Sequence, residues 1–158
     1  MNLEQKTKWL RNQILDTVYN SKHGHIGGAL SCVEILVSIF YGGTFRVGYD
    51  RFILSKGHAC VALYPILADL GYFDKSFLIS FCKDGSYLGG HPDILINGIE
   101  INSGSLGHGL GIGCGFVLAD KLDGNDKKTY VLMGDGECQE GSVWEAVMFA
   151  SRFKLNNL

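Results

Sequence analysis

All five histidines of the chain stand next to a glycine, in Lys22-His23-Gly24-His25, Gly57-His58, Gly90-His91 and Gly107-His108-Gly109. Imidazole changes charge near neutral pH, so it can give or take a proton under physiological conditions. A glycine beside it lets backbone and ring approach a ligand together. Taken singly, each ring would equally suit a loop histidine bonded to a nearby carbonyl; repeated on successive turns, the pattern points to a shared site. The second signal is Gly134-Asp135-Gly136, directly after the apolar run Tyr130-Val-Leu-Met133. A carboxylate at a strand end, flanked by glycines, can take a hard cation such as Mg²⁺ while free N–H groups face phosphate oxygens. An isolated Gly-Asp-Gly reads as a plain turn, and the strand before it is what gives this copy weight.

Other phosphate sites are excluded by spacing. No stretch satisfies G-x-G-x-x-G, since Gly107 and Gly109 are followed by Ile112 where the third glycine belongs, and no Gly-Lys step exists for a Walker loop. His23-x-His25 lacks nearby residues to complete a zinc site. Five cysteines lie far apart with no C-x-x-C pair, which fits reduced thiols in a cytoplasmic protein.

The elements that must hold these residues follow from periodicity. Leu3, Leu10, Ile14, Leu15 and Val18 predict an amphipathic helix over 3–20, running into a glycine-rich turn over 22–28. Ser31 and Glu34 have capping-box spacing and predict a second helix. Residues 51–55 read as a strand, 59–70 as a helix closed by Gly71, 75–82 as a short helix, and 85–101 as loop. A glycine-faced helix follows from Leu106, and so much helical glycine implies close backbone approach. The strand 129–133, a helix over 142–153 and a lead into another strand over 154–158 complete the chain. This alternation predicts an α/β fold, a mostly parallel sheet flanked by helices, in one domain over 1–158, with ligands at the carboxyl ends of the strands. A net charge of −2 gives no reason to expect nucleic acid or an anionic membrane, and no apolar run is long enough to span a bilayer.

The ordered set Gly24-His-Ile-Gly27, Asp50-Arg-Phe-Ile-Leu-Ser-Lys-Gly-His58, Gly90-His-Pro92, Ser103-Gly-Ser-Leu-Gly-His-Gly109 and Met133-Gly-Asp-Gly-Glu-Cys-Gln-Glu-Gly141 resembles the N-terminal, diphosphate-binding part of transketolases. It is most similar to the versions split into two chains. The segment Leu54-Ser-Lys-Gly-His58 speaks against the related deoxyxylulose phosphate synthases.

The resemblance implies a thiamine diphosphate-binding fold of the PP type and a transketolase-type transferase. In that family the cofactor's thiazolium carbanion attacks a ketose and a two-carbon ketol unit passes to an aldose. Asp135 resembles the aspartate that binds the Mg²⁺ (or Ca²⁺) bridging the diphosphate, with Gly134, Gly136 and Glu137 on the same cofactor-binding turn. His58 resembles a histidine near the diphosphate and the reacting centre. His25 and His91 resemble substrate-channel histidines, and Gly104 and Leu106 the backbone that holds the aminopyrimidine. His108 replaces the glutamine of many single-chain members and matches the split type.

The glutamate that activates the aminopyrimidine is expected from a partner, a C-terminal pyrimidine-binding subunit, in a hetero-oligomer such as a dimer of heterodimers. The substrate class implied is a sugar or sugar phosphate. Alternatives on the same half are an enzyme for another donor, an α-keto acid or a branched-sugar precursor, and a non-catalytic truncated relative. The family's second metal ligand, an asparagine, ends the strand after the Gly134-Asp135-Gly136 helix. A helix, its loops and a strand need roughly 25–30 residues, whereas 22 (158 minus 136) follow Gly136, so Asn156 and Asn157 lie in the approach. The expectation is a domain incomplete at its C-terminal end, with weak cofactor affinity by itself.

Overall fold

The first helix, α1 (Leu3–Ser21), opens with a reciprocal cap: the Asn2 side chain accepts from Gln5 N and the Gln5 side chain accepts from Asn2 N. The computed structural model describes residues 1–158, and their contacts gather into two units. One comprises Met1–Phe45 and Gly57–Asn102, the other Arg46–Lys56 and Ser103–Leu158.

The first unit is helical. Helix α1 buries Leu10, Ile14, Thr17 and Ser21, whereas Leu3 and Leu15 are exposed, so its inner stripe is rotated from the predicted one. The turn predicted over 22–28 tightens into a five-residue helix, α2 (Ile26–Leu30), and α3 spans Val33–Tyr41. The Ser31 hydroxyl donates to Gly28 O, and Cys32 takes the N-cap position of α3. Helix α4 (Cys60–Asp69) is buried all round from Cys60 to Ala68 and packs against α1. Gly71, at φ +85°, ends it with Tyr72 N bonding Leu67 O and Gly71 N bonding Ala68 O, as the glycine predicted. The predicted helix over 75–82 is a 3₁₀ segment, Lys75–Ser80, capped by Asp74.

The second unit holds the sheet. Strands β1 (Arg51–Leu54) and β2 (Thr129–Leu132) are parallel, with Arg51 opposite Thr129 and Leu54 opposite Leu132, so both exits lie at one end. Helix α5 (Gly109–Leu122) packs on both strands, and α6 (Gly141–Phe153) packs on α5. Their core comprises Leu110, Cys114, Val117, Val143, Ala146 and Leu155. Leu110 and Val117 are buried, whereas Val147 on α6 is exposed. The segment after α6 is a turn whose Asn157 carbonyl accepts from Thr129 N at the start of β2. At the sheet's entry end, Asp50 accepts from Arg46 N, Lys128 N and the Arg46 guanidinium. Burial pushes its pKa up, but these donors outweigh it and hold the carboxyl at about 2. The architecture is thus α/β, a parallel sheet flanked by helices, as expected.

Candidate functional site

At the exit end of the sheet three turns converge on one side chain. Glu137, only 1% exposed, lies in a 3₁₀ turn (Gly136–Gln139) after β2. Its Oε1 accepts from Gly107 N at 2.9 Å and from the Ser55 hydroxyl just past β1; its Oε2 accepts from Gly134 N at 3.0 Å. The Ser55 hydroxyl also accepts from Gly109 N, at 3.1 Å, at the start of α5. Gly109 must be glycine, because a Cβ there would lie 2.3 Å from Ser55 Oγ. Gly107, at φ +85°, has no room for one either, with Ser142 Oγ 2.6 Å from the Cβ position. The Ser142 hydroxyl in turn donates to Gly107 O at 3.1 Å.

Asp135 has the opposite surroundings. It is exposed, and only its main-chain carbonyl is used, accepting from Cys138 N. Gly136 beside it has open space at its Cβ position. No group of three or more His, Cys, Asp or Glu side chains is assembled for a metal, so Asp135 offers a single carboxylate. That donor set fits Mg²⁺, which keeps several waters and is bound through one or two carboxylates plus ligand phosphates. Gly104 and His108 are exposed, and Leu106 is half-buried. His108 is the N-cap residue of α5, and its Nδ1 donates to Leu106 O at 3.1 Å, leaving Nε2 for another partner.

The other histidines belong to the helical unit. His25, exposed at the start of α2, and His58, half-buried before α4, meet edge to face with ring centroids 5.4 Å apart. Gly28 makes room for the second ring: its Cβ position is 3.1 Å from His58 Cδ2 and Nε2. His91 is exposed on a loop held through its backbone. The buried Tyr64 hydroxyl lies 2.9 Å from His91 O and 3.1 Å from Gly89 O. Burial raises the Tyr64 pKa far above its ordinary value, so it stays a donor. His23 is exposed as well, with Ser21 Oγ bonding both its N–H and its carbonyl.

Residues 4–158 match the family described as "Transketolase, thiamine diphosphate binding domain". The chain belongs to this family. Over 99% of its length it is 44% identical to an apulose-4-phosphate transketolase subunit of Phocaeicola vulgatus, and over 100% it is 35% identical to the 6-deoxy-6-sulfo-D-fructose transketolase subunit SqwG of a Clostridium species. It spans 58% and 60% of those relatives. Among solved structures, Campylobacter jejuni transketolase superposes with a TM-score of 0.89 at 34% identity, over 100% of this chain and 28% of that one. A Pichia stipitis transketolase complex with sedoheptulose 7-phosphate gives 0.90 at 31%, over 99% and 26%.

In this transketolase domain, sequence reasoning found the turns but missed what fixes them. Ser55, Ser142 and Tyr64 were not singled out, and Glu137 was grouped with the cofactor-binding residues although both its oxygens are taken by groups of the chain. Ser55 does fall within a quoted motif, Leu54-Ser-Lys-Gly-His58, which was the available signal.

Proposed function

We propose that this chain is the diphosphate-binding half of a split, thiamine diphosphate-dependent transketolase, active with a pyrimidine-binding partner chain. The observation that carries the reading is the Asp135 turn: an exposed carboxylate between two glycines at the exit of β2. Asp135 holds Mg²⁺ or Ca²⁺ there, and Gly134 and Gly136 line the turn. Gly104 and Leu106 present backbone to the aminopyrimidine. When bound, thiamine diphosphate supplies the nucleophilic carbon that breaks a ketose carbon–carbon bond. His58 serves near the diphosphate and the reacting centre, while His25 and His91 bond the donor's hydroxyl and carbonyl groups and move their protons. His108, exposed at the start of α5, is the fourth histidine assigned to catalysis. That relatives are named as single subunits of a transketolase supports the partner, which is sought as a pyrimidine-domain chain encoded beside this one.

The relatives are named for different sugars, apulose 4-phosphate and 6-deoxy-6-sulfo-D-fructose, so the donor needs a panel. The chain is mixed with its partner, thiamine diphosphate and Mg²⁺, and offered ketose phosphates, a branched-sugar phosphate and an α-keto acid, with products separated by chromatography. Ketol transfer from a ketose is the expected result. Turnover of the α-keto acid alone, or of nothing, contradicts the proposal.

A further inference from the structure

A carboxylate removed from water is costly unless donors replace the lost hydration, and Glu137 has three within its own unit. Two of them are peptide N–H groups, and in a trans peptide the N–H and the preceding carbonyl point in opposite directions. No peptide bond here is cis. By holding Gly107 N, Oε1 therefore fixes the Leu106–Gly107 peptide plane and turns Leu106 O away, to where His108 Nδ1 meets it. By holding Gly134 N, Oε2 fixes the Met133–Gly134 plane, one peptide ahead of the one that enters Asp135. The Ser55 hydroxyl gives its one proton to the carboxylate and takes the N–H of Gly109, extending the constraint to the start of α5.

We propose that Glu137 is a positioning residue: it touches no ligand, but locks the aminopyrimidine-side backbone at Leu106 and the metal-side turn at Asp135 into one geometry. The inference rests on the function proposed above and assigns Glu137 a role within it. A glutamine of the same shape offers one oxygen acceptor and an NH₂ donor. Its NH₂ must then face an N–H, either that of Gly134 or that of Gly107, and one of the two planes is released.

The test uses the full chain with its partner. Thiamine diphosphate is titrated calorimetrically in saturating Mg²⁺, and amide exchange is followed in the absence of cofactor. Glu137→Gln is expected to weaken binding by about 10–100-fold, the range seen when residues orienting metal ligands are lost, and to speed exchange at Gly107 or Gly134. The control is Asp50→Asn, which alters another buried carboxylate of the same unit at the sheet's entry end; faster exchange near Arg46 and Lys128 with unchanged binding is expected. Should the glutamine variant fail to fold, Ser55→Ala, which removes one donor from the carboxylate, is expected to weaken binding in the same direction. Wild-type affinity in the variants overturns the inference, as does an equal loss in Asp50→Asn, which would mark a merely structural role. Absence of binding by the wild-type complex overturns the proposed function itself, and the inference with it.

Discussion

Asp135 and Glu137 stand two residues apart, one exposed and unused by the fold, the other sealed under three donors. A change at the exposed acid should therefore leave the fold intact. Asp135→Asn is expected to shift stability by less than about 0.5 kcal/mol, while Mg²⁺-dependent thiamine diphosphate binding by the complex is lost; a thermal melt and a binding titration on one preparation separate the two. At Gly28 the roles invert. Gly28→Ala suits a helix by roughly 0.5–1 kcal/mol, but its methyl presses on the His58 ring at 3.1 Å. A retained melting temperature with reduced kcat is expected, and unchanged kcat would show that the ring's seat does not matter. The turn that carries Asp135 was legible because its signal is local, a strand followed by Gly-Asp-Gly. The enclosure of Glu137 was not, because its partners Ser55 and Gly107 are 82 and 30 residues away.

At the level of elements, the glycine-faced helix was foreseen, but only some of its glycines meet close neighbours. Gly109 faces Ser55, and Gly113 faces Val131 at 2.7 Å, whereas Gly111 and Gly115 have nothing within 4 Å of a Cβ. The paired expectation is that Gly109→Ala destabilises by about 1–3 kcal/mol through overpacking, and that Gly111→Ala stabilises by roughly 0.5–1 kcal/mol. Urea unfolding of both variants checks it, and equal effects would contradict it. Element positions were legible from periodicity; their ends were less so. Ser31 and Glu34 matched a capping box by spacing, yet the chain forms α2 first and uses Cys32 at the N-cap position of α3, one residue further on. The working box, Asn2 with Gln5, lay unnoticed at the first residues.

Across the whole molecule, each unit carries an aspartate braced by several donors. Asp69 accepts from Lys6, Tyr41 and Lys75, and Asp50 from Arg46 and Lys128. Burial raises the pKa of each, but the donors prevail and lower both from 3.8 to about 2. A depressed folded-state pKa means that the unfolded chain takes up the proton first. The stability from these groups is therefore complete above pH 4 and lost as pH falls through about 2. A melting temperature that drops between those limits is expected, with a shallower slope in Asp50→Asn; a flat profile would contradict the bracing. The most direct test of the central claim is a crystal of the chain with its partner, grown with thiamine diphosphate and Mn²⁺ in place of Mg²⁺. An anomalous peak is expected about 2.1 Å from an Asp135 oxygen, between that carboxylate and the diphosphate. A diphosphate-bound ion seated away from Asp135 would contradict it.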